Sequence, residues 1–337
     1  MNSKHWTPQD IFGLSAQVWE ACALYAAVKL DLFTALDRAA PGGLTPEELA
    51  AAVGGEARAT GMLVTALVSL NYLERAGAAV QLTDDSKKYL SAASPDYFGF
   101  IIKHMSHILP NWANLAQAVT TGRMVAVNAP LTTDDEDERE AFLMGMFNTA
   151  RQQADRVAEA LDLTGRKRLL DLGGGPGTYA VHFCLRYPEL RAVVFDQPTT
   201  EKFARDVFGR FALENRINFL SGDFLTSSLP GGFDVAWLSQ VLHGEDPANA
   251  ARLVQRGAET LERGGLLGVQ EFIIDDDLGG PAQSALFSLN MLVQTPGGQA
   301  YTEGEIVDMM TGAGLRDIKK LDVRLPPGCG VLVGLKA

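Results

Sequence analysis

The sequence predicts an α/β protein: a doubly wound, Rossmann-like domain over residues 126–337, preceded by an all-helical domain of winged-helix pattern with one small hairpin over residues 1–125. Three observations carry this reading. From about residue 142, helical spacing alternates with short apolar runs at 168–172, 192–196, 217–220, 234–238, 266–273 and 331–335. The first of these runs opens directly into a glycine loop. Upstream of the acidic run at 134–138, helical spacing prevails.

In the first domain, Ile11, Leu14, Val18, Cys22, Tyr25 and Leu32 recur at helical spacing, and the opposite side is rich in alanine. A helix apolar on several faces needs cover on several sides, which a second copy of the chain would supply. Thr45, Pro46 and Glu48 form a capping-box start, and Gly54-Gly55 a stop. A second helix is expected at about 57–73, then a turn at Gly77 into a short strand at 80–83. A DNA-reading winged helix would carry basic and amide side chains on that second helix. Here Arg58 and Arg75 at its ends are offset by Glu56 and Glu74, so a dimerisation platform is the better reading.

The 337 residues carry 29 Lys and Arg against 41 Asp and Glu, a formal net charge of -12. Such a chain repels a polyanion, which argues against nucleic acid as a partner. Cys22, Cys184 and Cys329 form no paired or zinc-binding spacing and read as reduced thiols. The N-terminus lacks the apolar core of a signal peptide, and no uninterrupted apolar run reaches membrane-spanning length. A soluble, cytoplasmic protein with no membrane partner is expected. The run 134–138 reads as a solvated connector. His104 and His107 sit one helical turn apart without a carboxylate at a matching step, and read as polar groups in an apolar pocket wall.

The strongest local signal is Leu169-Leu170-Asp171-Leu172-Gly173-Gly174-Gly175-Pro176-Gly177. Gly173, Gly175 and Gly177 let a backbone approach a ligand closely. The dinucleotide fingerprint is incomplete, because Thr178 takes its last glycine position. Asp171 would repel a pyrophosphate but attract an ammonium group, which favours S-adenosylmethionine over NAD. Acidic residues close the next two strands as well. Asp196, followed by Gln197, can take both ribose hydroxyls; Asp223 can accept the adenine amino group while Phe224 covers the ring. Ligands in such sheets bind at the carboxyl ends of the strands.

Together these motifs resemble the class I O-methyltransferases of the caffeate and acetylserotonin type, whose bacterial relatives act in secondary metabolism. The matching segments are DLGGGPG at 171–177, FDQP at 195–198, GDF at 222–224, VLH at 241–243 and PGGQAYT at 296–302. The resemblance implies a homodimer held by the N-terminal domain. It also implies a small-molecule acceptor methylated on a hydroxyl, S-adenosylhomocysteine as product, and no metal. Methyl transfer from a sulfonium mainly requires alignment of donor and acceptor, plus removal of the hydroxyl proton. His243, the one histidine at the carboxyl end of an expected strand, matches the family's general base, and Glu271 matches the glutamate that orients it.

The departures are specific. Ala300 stands where the family often has a second glutamate beside the histidine, Gly244-Glu245 replace Asp-Trp, and Ser239, a candidate cofactor contact, replaces a plant lysine. Tyr301 or Glu245 are available to compensate. The pocket wall is expected to draw on Phe98, Met105, Phe142, Met146, Phe287, Asn290, Met291 and Gln294. Of these, Phe287, Asn290, Met291 and Gln294 share one helix face, where the two amides suit acceptor recognition. The competing readings are a relative acting at carbon or nitrogen, a relative that binds the ligand without methylating, and a winged-helix regulator that senses it. A dehydrogenase is disfavoured by Asp171.

Overall fold

A computed structural model describes residues 5–39, 41–125 and 135–337. It divides into two compact units, Met1–His107 and Ile108–Ala337. The boundary expected after residue 125 adjoins residues 126–134, which lie outside the described residues, as does Asp134 of the acidic run.

The first unit opens with α1 (Pro8–Lys29), started by a capping box between Thr7 and Asp10 with proline in its first turn. Helix α2 (Leu32–Arg38) follows, then α3 (Pro46–Val53) with the expected Thr45–Glu48 capping box and a left-handed Gly54 at its end. Next is α4 (Ala57–Ser69), four residues shorter than expected and capped by Glu56. Strands β1 (Leu73–Ala76) and β2 (Ala79–Leu82) pair antiparallel around Gly77, before α5 (Asp84–Leu90) and the start of α6 (Gly99–Ala113), whose residues from Ile108 onward, Asn111 and Trp112 among them, belong to the second unit. Leu32, Phe33, Leu36, Leu49, Val64, Leu67 and Val80 form the core of this unit.

Helix α1 contributes little to that core. Phe12 is 66% and Trp19 69% exposed, and Ile11 and Leu14 lie open beside them. By length and composition α1 is the one helix among the described residues able to cross a membrane. Its apolar pattern is interrupted by Gln9, Asp10, Gln17 and Glu20.

In the second unit α7 (Leu115–Thr121) precedes α8 (Glu136–Ala160). The acidic residues 135–138 are not a connector. Asp135 caps α8 through the backbone N–H groups of Asp137 and Glu138, and the other acids fill the first turn, where the helix dipole favours negative charge. The alternating elements that follow are β3 (Arg168–Leu172), α9 (Thr178–Arg186), β4 (Arg191–Asp196), α10 (Glu201–Arg210), β5 (Ile217–Ser221), β6 (Phe233–Ser239), α11 (Pro247–Glu259) and β7 (Leu261–Ile274). The chain closes with α12 (Ala282–Gln294), β8 (Tyr301–Thr302), α13 (Glu303–Gly312), β9 (Leu315–Lys320) and β10 (Cys329–Lys336).

The sheet runs β5-β4-β3-β6-β7-β10-β9, with β8 beside the end of β7. Strands β3 to β7 are parallel, whereas β10 is antiparallel to both neighbours. The expected doubly wound sheet is therefore mixed at one edge. Strand order reverses between β3 and β6, so the crevice of such folds opens at their carboxyl ends. Leu170, Leu172, Ala236, Leu238, Leu267 and Val269 are buried as a continuous core, as central parallel strands require.

Candidate active site

The carboxyl end of β3 turns at Gly173, whose φ of 70° lies in the left-handed region. A side chain there would meet Val241 at 2.6 Å, so the loop and the turn after β6 lie backbone to side chain. Gly175, by contrast, faces open space. Asp171 is the one charged residue in the buried stretch of β3. Its Oδ2 accepts from Ala180 N–H at 3.2 Å, while Oδ1 has no protein partner among the described residues. Burial pushes this carboxyl up to about 7, the Ala180 bond opposes the shift, and the charge of Asp196 adds to it.

Asp196 at the end of β4 holds the glycine loop directly. Its Oδ2 accepts from Gly175 N–H at 2.8 Å, and its Oδ1 from Gln197 N–H at 2.7 Å and the Thr200 hydroxyl at 2.9 Å. Burial raises this carboxyl despite those bonds. Gln197 is exposed beside it. The end of β5 is tied in by Gly222 N–H to the Asp196 carbonyl, 2.9 Å. Asp223 is exposed, and the Leu225 N–H at 2.7 Å holds its carboxyl below the usual range. Phe224 is half-buried. Arg256 on α11, which sequence reasoning missed, clamps this turn by donating to the carbonyls of Phe224 (2.7 Å) and Ser227. A lone arginine in an amphipathic helix carries no signal of that task.

Strand β6 ends at Ser239, whose buried hydroxyl lies near the Tyr179 phenol. Gln240 then takes a left-handed φ of 57°, an uncommon state for a residue with a side chain. The next turn carries His243. Glu271, on neighbouring β7 and only 1% exposed, spans the turn with both oxygens. One accepts from Leu242 N–H at 2.8 Å and the other meets His243 Nδ1 at 2.6 Å. A carboxylate at Nδ1 fixes the proton there and leaves Nε2 as the basic nitrogen. The imidazole, 14% exposed, meets the Phe287 ring edge-on at 4.7 Å, and Phe287 rests on Phe272 at 4.1 Å. The structure thus brings His243, Glu271 and Phe287 together, with the candidate cofactor residues on adjacent strand ends.

Asn290 and Gln294 follow on the same helix, with Met291 buried between them. Each amide is oriented from α6: Trp112 Nε1 donates to Asn290 Oδ1 at 2.8 Å, and Asn111 Nδ2 donates to Gln294 Oε1 at 2.9 Å. The occupied carbonyls leave the amide N–H₂ groups as donors, and Gln294 Nε2 is buried without a partner among the described residues. Met146 is half-buried on α8, and Phe98 and Met105 belong to the first unit.

The segment after α12 packs against the His243 turn. An added Cβ at Gly298 would lie 2.2 Å from the His243 carbonyl. The paired glycines were the visible signal of this close approach. Gly298→Ala is expected to cost about 1–3 kcal/mol through overpacking and to lower turnover more than cofactor affinity. Thermal melting and initial rates check this; wild-type values in both would remove the contact from the account.

The architecture is that of α/β methyltransferases. The chain matches the model of an O-methyltransferase domain over residues 112–316 and that of an O-methyltransferase dimerisation domain over residues 13–92. It belongs to the O-methyltransferase family. It is 31% identical to the 3-hydroxy-5-methyl-1-naphthoate 3-O-methyltransferase of Streptomyces sahachiroi, across 98% of this chain and 96% of that one. It is 33% identical to the acetylserotonin O-methyltransferase of Macaca mulatta, across 88% and 89%. The crystal structure of human N-acetylserotonin methyltransferase in complex with SAM aligns with a TM-score of 0.87 at 30% identity, covering 100% of both chains.

Proposed function

We propose that this enzyme transfers a methyl group from S-adenosylmethionine to a hydroxyl of a small, largely apolar or aromatic secondary metabolite, with His243 as general base. The observation that carries this is the His243–Glu271 pair, set beside three successive strands that each end near a carboxylate. The cofactor supplies an electrophilic methyl on a positively charged sulfur and leaves as S-adenosylhomocysteine. Gly173, Gly175 and Gly177 give its backbone cradle, and Asp196 with Gln197 suit its ribose. Asp223 and Phe224 suit the adenine, and Asp171 and Ser239 the methionine end. The unpartnered Asp171 Oδ1 and the open side of Gly175 fit such a group.

His243 Nε2 takes the acceptor's hydroxyl proton, and Glu271 steadies the imidazolium that results. Phe287 and Met291 offer an apolar face. Asn290 and Gln294, held as donors, suit an acceptor bearing an oxygen that accepts hydrogen bonds. No step requires a metal ion.

Titration calorimetry with S-adenosylmethionine, S-adenosylhomocysteine and NADH tests the cofactor assignment. Micromolar binding of both sulfur ligands and none of NADH is expected. A screen of phenolic acceptors, with His243→Ala as control, then tests the transfer. Absence of binding by either sulfur ligand overturns the reading.

The N-terminal domain is read as a winged-helix platform for a homodimer, its seam including the open face of α1. Trp19→Glu places a charge on that face and is expected to convert the dimer to monomer in light scattering. A variant that stays dimeric at low concentration would move the seam elsewhere.

A further inference from the structure

The turn carrying His243 is held on one side by Glu271. Its other side meets the segment 297–301. Gly298 lies against the His243 carbonyl and donates its N–H to the Thr295 hydroxyl at 2.8 Å, while Thr295 in turn donates to the Met291 carbonyl on α12. Tyr301, 1% exposed and paired with Ile273 at the end of β7, donates its phenolic O–H to the Glu245 carbonyl at 2.6 Å. Glu245 N–H returns to the Leu242 carbonyl at 3.0 Å, closing the turn.

We propose that Tyr301 is a positioning residue for the base: its hydroxyl holds the turn that aims the His243 imidazole, a task that Ala300 beside it has no group to perform. The inference rests on the reading of His243 as general base.

The local charge explains why a neutral donor suits the position. Glu271, Glu245 and Asp246 already lie around Tyr301, and burial followed by the Asp246 charge raises the Glu245 carboxyl. A further carboxylate here would be repelled by its neighbours. A phenol adds no charge. Burial pushes it up further, so it stays protonated and remains a donor. Its hydrogen bond goes to a backbone carbonyl, which fixes the course of the chain two residues beyond the histidine rather than the ring itself.

The test compares wild type, Tyr301→Phe and His243→Ala as full-length enzymes with S-adenosylmethionine and a phenolic acceptor. Tyr301→Phe keeps the buried ring, and thermal melting with S-adenosylhomocysteine binding verifies its fold. Its kcat is expected to fall about tenfold, with KM for both substrates and affinity for S-adenosylhomocysteine within about twofold. The downfield proton resonance of His243 Nδ1–H, hydrogen-bonded to Glu271, is expected to broaden or disappear. Wild-type kcat and an unchanged resonance in Tyr301→Phe, with His243→Ala inactive, overturn the proposal, as does a lowered melting temperature alone. Full turnover by His243→Ala overturns the general-base reading instead, and this proposal with it.

Discussion

His243→Ala is expected to lower kcat by about 10²–10⁴-fold, the range that a general base supplies. S-adenosylhomocysteine should still bind with near wild-type affinity, because the proposed carboxylate contacts, Asp171, Asp196 and Asp223, lie on or just past other strands. The separation of effects is the informative part. His243 is tied to the sheet through Glu271, but Asp171, Asp196 and Asp223 take none of their hydrogen bonds from it. Glu271→Gln should reproduce much of the loss, since an amide can hold the Leu242 N–H yet cannot stabilise an imidazolium. Unchanged kcat in His243→Ala, measured with an acceptor that wild type methylates, would remove the histidine from the chemistry.

Asp196→Ala is expected to weaken S-adenosylmethionine by about 10- to 100-fold, the worth of a hydrogen bond to a charged group being about 1.5–3 kcal/mol. Two losses combine. The proposed ribose partner disappears, and the glycine loop is released from its bond through Gly175. The pH dependence of binding carries a second signature. Asp171 has its carboxyl raised from 3.8 to about 7, with burial as the main cause. A group raised in the folded state adds stability that is fully present below its unfolded value and is lost as pH climbs through the folded one. The ligand-free enzyme therefore loses this contribution between about pH 4 and pH 7. A ligand carrying an ammonium and a sulfonium charge gains over that interval, because the ionised carboxylate attracts it. Calorimetry at about pH 6 and about pH 8 should show tighter binding at the higher pH, and Asp171→Asn should flatten the difference. A pH-independent affinity in wild type would show that Asp171 does not face the ligand's charge.

Much of the arrangement was legible in the chain because it depends on local pattern. A buried apolar strand that carries an acid near its end and opens into glycines can be read along one segment at Asp171, and Asp196 and Asp223 stand at or just past the ends of the next two strands. His243 was readable at the carboxyl end of a strand and Glu271 through the family resemblance, although Glu271 lies within β7 and not at its end, and nothing in their spacing of 28 positions states that one carboxylate grips both the ring and the Leu242 amide. What stayed hidden depends on tertiary approach or on edges. Strand β9 reads Leu-Arg-Asp-Ile-Lys-Lys, and its charges suit a sheet border rather than the apolar pattern that marks a central strand. Strand β8 is two residues long. The start of α8 was masked by acids that looked like solvated linker, although they cap it. The role of Arg256 is expressed only through backbone carbonyls on a distant turn, and carbonyls leave no trace in composition.

The positions of Phe287, Asn290, Met291 and Gln294 on α12 have an evolutionary consequence. That helix is one continuous segment between β7 and β8, whereas the residues proposed to hold the methyl donor are scattered over four strand ends and their loops. Mutational drift on one short segment can therefore retune which metabolite is accepted while the donor apparatus stays constant. A library confined to those four positions should yield variants with new acceptor preferences and an unaltered appetite for the donor, a division of labour between one helix and the strand ends.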